Sequence, residues 1–427
     1  MPHHHLSVSS LHYYVVFASI FIAAFLFSRI FRKKASALKN DESIVDGYAQ
    51  NAVNKKIVDT GERAMYKKLF HELHHLESNS EILPRARDQL ILQLAEAVET
   101  ERRNPGSILS IAEYSKINIL AFIQQQEELT GHEWDAYLAR RKGGGKPELF
   151  SNRDTARTWL REFAPLKLVD GAWLGHTHRV TTPFALRHIT KDAWQVMAEE
   201  YGDGILAQHH VHLYSKLLHD VDAGLPEAHD PDFIHTRHGM DNVQVWKGAV
   251  AQLLVSLFPH EFLPEILGFN LHFELLTLNT MIASKELEEV KLDAYYFFLH
   301  ISIDNSHSGH TAMAAETVCK YMDHVQRSEG DEAARSAWRR VQAGYCLSSS
   351  FSAPQAGTYS APSHGCQLST LNAHRPEEDF EQDTNEWDQK ILQLMQAKAQ
   401  AAGKIHCGSQ IKIGRDANNQ LNQLCSS

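Results

Sequence analysis

The chain has 427 residues, 43% of them hydrophobic, and a formal charge of −10, enough for a sizeable core in one large domain or two ordinary ones. The acidic balance, with no basic stretch interleaved with aromatics, argues against nucleic acid as a partner. Five cysteines without a CxxC pair argue against a disulfide framework and fit a reducing compartment.

The first element is apolar. From Leu11 to Ser28 the chain reads LHYYVVFASIFIAAFLFS, without a formal charge. With Ile30 and Phe31 it reaches about 20 residues, the length that spans a bilayer. Arg29, Arg32, Lys33 and Lys34 follow it. A cleavable signal has its charges before the apolar run, so this order predicts a retained single-pass anchor over residues 1–40. Tyr13 and Tyr14 suit one interface, and the positive-inside rule places the rest of the chain in the cytosol, an arrangement that fits the endoplasmic reticulum.

After a polar linker, residues 41–149 carry helical periodicity in ERAMYKKLFHELHHL, RARDQLILQLAEAVETERR and SILSIAEYSKINILAFIQQQEEL. Residues 150–345 continue it, from TARTWLREFAPLKLV to DAYYFFLHISIDNSHSGHTAMAAETVCKYM. Apolar residues recur at three and four, and strand alternation is absent, so the fold class is all-α. Residues 346–427 open on a Ser/Pro/Gly-rich run, LSSSFSAPQAGTYSAPSHG, and are expected to be largely disordered, with a short amphipathic helix in EWDQKILQLMQAKAQAA.

With 27 histidines, no single one is informative. Their setting is. His300, Asp304 and His307 follow the apolar run AYYFFL, and on a continuous helix offsets of four and seven share one face. Imidazole and carboxylate suit redox iron, and such groups are costly to bury unsatisfied. The bland alternative is a set of satisfied polar residues in an internal hydrogen-bond network. His310 is read as a neighbour off that face. Glu274 sits in the apolar stretch GFNLHFELL with no basic residue three or four positions away. EEYGDGILAQHHVHLY adds acids at 199, 200 and 203 and histidines at 209, 210 and 212. Inward acids and imidazoles from several helices are how bundles build dinuclear metal sites.

On these residues the chain resembles the haem-oxygenase-like diiron oxidases, also called iron-containing redox enzymes. The matching features are an acid, then His210 and the aromatic in HLY; then LPEILGFNLHFE, ending at Glu274; then His300-x3-Asp304-x2-His307. APLKLVDGAWL is similar to the family's opening segment. The resemblance covers about residues 150–325. It implies a haem-oxygenase-like helical bundle holding two Fe(II) ions on Glu200, His210, Glu274, His300, Asp304 and His307. The first acid could also be Asp203, and Glu200 is favoured. The resemblance further implies O2-dependent oxidation of a small metabolite: N-oxygenation of an amine, or oxidative carbon–carbon cleavage of an amino acid or fatty acid. O2, a small-molecule substrate and an external reductant would be its partners.

Three rival readings stand beside it. His71-Glu72-Leu73-His74-His75 satisfies the zinc-peptidase pattern H-E-x-x-H, but Glu77 is too close on the same helix to be a third ligand, and a solvated His-rich face is the plainer reading. Haem oxygenase activity would need a porphyrin in the space that six ligands fill. A tethered helical scaffold with a degenerate site would take up no iron.

Overall fold

Twelve α-helices make up most of the described part of the chain. It is a computed structural model that describes residues 60–351. The apolar stretch at residues 11–31 and the chain after residue 351 lie outside these, so the expected anchor and most of the tail expected to be disordered fall outside the described residues. Residues from Met65 onward form one unit. Its helices are α1 (65–74), α2 (Leu83–Glu101), α3 (Lys116–Lys142), α4 (Arg153–Lys167), α5 (Arg187–Glu200), α6 (His210–Asp220), α7 (Val243–Val255), α8 (Leu263–Phe273), α9 (Leu278–Glu289), α10 (Tyr295–Ile303), α11 (His310–Glu329) and α12 (Asp331–Ser349). No strand occurs among the described residues, as the 3.6-residue periodicity predicts. No single described helix is long and apolar enough to cross a membrane; α8 and α9 pass such a test only as a pair bent by 42°.

The central helix is α8. Pro264 sits in its first turn, where a missing N–H costs nothing, and residues Leu263 through Leu271 are all buried. It crosses α12 at backbone distance. A Cβ on Gly268 would stand 1.8 Å from the Val341 carbonyl oxygen, and one on Gly344 would stand 1.9 Å from the Glu265 carbonyl oxygen. Glycine is required on both helices because no side chain fits between them. Around this pair α11 packs on α5, α8 and α12, while α4 packs on α6 and α7. Trp173, Trp246 and Trp338 fill the core.

Helices before residue 150 join the same core. α2 packs on α7 and α12, and α3 packs on α9. At the other end α12 runs on past residue 345, and Cys346, Leu347 and Phe351 are buried.

A buried carboxylate locks α3 to α9. Glu286 accepts hydrogen bonds from the Tyr137 hydroxyl (2.8 Å), Arg141 Nη1 (3.0 Å) and the backbone N–H groups of Glu148 (2.6 Å), Leu149 (2.7 Å) and Phe150 (2.8 Å). Removing one partner of such a network leaves the others desolvated and unpaired. Glu286→Ala is expected to cost about 4 kcal/mol of unfolding free energy, read as a lower denaturant midpoint at unchanged slope.

Candidate metal centre

Helix ends build the site. Glu200 is the last residue of α5, and His210 is the first of α6. Between them Gly202 adopts φ +69, and a Cβ there would stand 2.8 Å from both the Gln208 carbonyl carbon and the His209 nitrogen. Only glycine lets the chain double back so tightly. Glu274 follows the end of α8, Asp304 follows the end of α10, and His310 opens α11. His300 lies in the last turn of α10, and Asp170 in the turn after α4.

These side chains converge in two overlapping groups. Ligand-type atoms of Asp170, Glu200, His210 and His300 all lie within 4.8 Å of one another, and so do those of Glu200, Glu274 and His310. Glu200 belongs to both: its Oε2 lies against His210 Nδ1, and its Oε1 is 3.2 Å from His310 Nδ1. His310 Nδ1 is also 3.1 Å from Glu274 Oε2 and 3.6 Å from Asp304 Oδ1, while its Nε2 is 3.1 Å from Glu199 Oε2. The His210 and His300 rings are 4.4 Å apart. Tyr296 holds one side of the first group in place. Its hydroxyl donates to Asp170 Oδ2 (2.9 Å), and its carbonyl accepts from His300 Nδ1 (2.8 Å). His300 Nε2 is thereby left facing inward, 3.5 Å from Asp170.

The electrostatics are those of a site crowded with acids. Burial would raise the Glu200 carboxyl, but His210 and His310 on either side hold it well below the ordinary carboxylate range. Glu274 goes the other way: burial, reinforced by Glu200 and Asp304, lifts it to about 8 against the pull of His310. Burial would lower His310, yet Glu274, Glu199 and Glu200 raise it well above its usual value. His300 likewise rises to about 8, because Asp170 and Asp304 outweigh burial. In the metal-free site Glu274 and His310 are thus both pushed toward their protonated forms.

Of the residues singled out from sequence, Glu200, His210, Glu274, His300 and Asp304 come together, and His307 does not. α10 ends at Ile303, so the face expected to carry His300, Asp304 and His307 is broken before it reaches residue 307. The Asn305 side-chain oxygen accepts from the N–H groups of His307, Ser308 and Gly309. That turn carries His307 onto the surface and returns His310, read as a bystander, to the buried centre. Asp203, the alternative first acid, is exposed on the 202–204 turn at φ +50. Asp170 is a member that sequence reasoning missed, although an acid before glycine, set between the buried Val169 and Trp173, is a signal for a buried turn residue.

A cavity of about 140 Å³ adjoins the centre, where Asp170, Glu200, Glu274, His300 and Asp304 reach its wall. Trp159, Phe163, Trp173, Phe273 and Phe297 give it an aromatic lining, and Lys167 is the one lysine or arginine on it among the described residues.

No curated protein and no solved structure matches this chain. Residues 157–345, somewhat less than half of its length, match the family model described as iron-containing redox enzyme. The match opens in α4 and closes in α12, and so takes in all of the converging residues. Residues 157–345 therefore belong to the iron-containing redox enzymes, the haem-oxygenase-like family that the sequence resembles.

Proposed function

We propose that this chain is a non-haem iron oxidase that holds two Fe(II) ions and uses O2 to oxidise a small metabolite. In this reading the apolar stretch at residues 11–31 anchors it to a membrane. The observation that carries the proposal is the position of Glu200, one carboxylate common to two groups of acids and imidazoles. The donor set fits iron. Asp170 Oδ1, Glu274 Oε1, Asp304 Oδ1 and His210 Nε2 are buried without a hydrogen-bond partner. Polar atoms do not stay buried and unsatisfied without reason, and cations between them supply one.

Asp170, Glu200, His210 and His300 would hold one ion, and Glu200, Glu274 and His310 the other, with Asp304 beside it. Iron supplies the one-electron and O2 chemistry that no side chain can. The protein supplies position and exclusion of water. Tyr296 keeps His300 and Asp170 in place. Glu274 and His310 would have to lose protons for the site to load, and Glu199, 3.1 Å from His310 Nε2, accepts the hydrogen bond that orients the ring with Nδ1 toward Glu200 and Glu274. The aromatic cavity takes an apolar body, and Lys167, whose Nζ lies 5.5 Å from the Tyr296 ring centroid, is placed to take an acidic head group. A carboxylic acid with an aromatic or aliphatic body is the substrate class that this lining favours.

Anaerobic loading with Fe(II) tests the reading. We expect about two irons per chain, weaker uptake as pH falls because the ligands must lose their protons, and O2 consumption with a transient visible chromophore on admission of air. A chain that takes up no iron under any condition is the degenerate scaffold instead.

A further inference from the structure

The histidine-rich end of α1 belongs to neither iron group, yet it is more than a solvated face. His71 and His75 lie one turn apart, with ring centroids 4.4 Å from each other. The His75 Nδ1–H donates to the His71 carbonyl (2.9 Å), which fixes the tautomer whose Nε2 lone pair points away from the helix. That backbone bond is the support that metal-bound imidazoles use. His71 Nδ1 is buried and has no hydrogen-bond partner. Across from this pair runs the segment joining α6 to α7. It brings the His229 ring to 6.4 Å from that of His75, and Asp230 near enough for its charge to act on His71. His229 is exposed, and rotation about its side-chain bonds would have to close the remaining distance. His74 is set apart by its ring, which packs on Phe70 at 4.4 Å.

We infer that His71, His75 and His229 form a second metal site for a zinc-class divalent ion, with Asp230 or water as the fourth ligand. Two imidazoles one helical turn apart with a third from a facing segment are a sound tetrahedral donor set. The site is not a peptidase centre, because Glu72, the base such chemistry needs, is paired with Arg85 (3.3 Å) and Lys68 (3.6 Å). The ion would staple α1 to the segment after α6. None of this rests on the iron reading.

The test titrates Zn(II) into the full chain after exposure to Fe(II), and compares wild type with His75→Gln and with the surface variant His229→Gln. Wild type should bind one more zinc per chain than either variant, and zinc should raise its melting temperature by about 5 °C with no such rise in the variants. Iron content should be the same in all three. Co(II) in place of zinc should give the visible absorption of a tetrahedral site in wild type alone. Equal zinc stoichiometry and equal thermal response in wild type and His229→Gln would overturn the assignment, even if His75→Gln fails to fold.

Discussion

His310→Ala should lower the iron content of the reconstituted protein from about two ions per chain to one or fewer, and His307→Ala should leave it unchanged. The two residues are three apart, and nothing in the residue types separates them; the fold does. His310 is buried within 3.6 Å of acidic oxygens from Glu274, Glu200, Asp304 and Glu199, whereas His307 is exposed. The metal-free protein reports the same asymmetry in a second way. Removing the imidazole leaves a crowd of buried carboxylates without their cation, a change of the kind that costs about 3–5 kcal/mol. His310→Ala should therefore melt well below wild type before any iron is added, and His307→Ala should melt with it. Iron analysis beside thermal unfolding gives both readings, and equal behaviour of the two variants would remove the basis for placing His310 at the centre.

Gly268→Ala and Gly344→Ala should each destabilise the fold by about 3 kcal/mol or more, at the upper end of what overpacking does. In both cases the obstacle is a backbone carbonyl closer than 2 Å to the new methyl group, and a carbonyl in a helix cannot swing aside as a side-chain tip can. α8 and α12 would have to move apart, and Glu274, directly after α8, would be displaced with it. Gly131 gives the contrast. It is exposed in α3, and a methyl group added there would meet nothing within 4 Å, so Gly131→Ala should raise stability by about 0.5–1 kcal/mol. Chemical denaturation of the three variants settles the sign of each.

Much of this arrangement could be read from residue types alone. Acids and imidazoles set in apolar stretches are costly to bury, so Glu200, His210, Glu274, His300 and Asp304 stand out before any coordinates are known. The glycines at 202 and 204 mark the break between Glu200 and His210. What failed was the assumption that periodicity continues. It orders side chains only while the helix lasts, and Asn305, Ser306, Ser308 and Gly309 are poor helix formers that favour turns. Weighed together, they end the helix before residue 307 and bring His310 into consideration. Asp170 was harder to find, because its turn meets His210 and His300 only through packing of elements far apart in sequence. The peptidase-like pattern on α1 carried too little local information to separate an accidental match from a built cluster; its partner His229 lies far along the chain, beyond α6.

The turn between α10 and α11 does not stand on its own. The Ser306 N–H donates to Glu127 Oε1 (3.3 Å), and the Ser306 hydroxyl to the other oxygen of the same carboxylate. Glu127 belongs to α3, upstream of the stretch that carries the family likeness. The catalytic segment is therefore not a portable cassette. Excised at the edges of that likeness, it would lose the brace under the very bend that presents Asp304 and His310, so the leading helices matter to the site as the segment they support does.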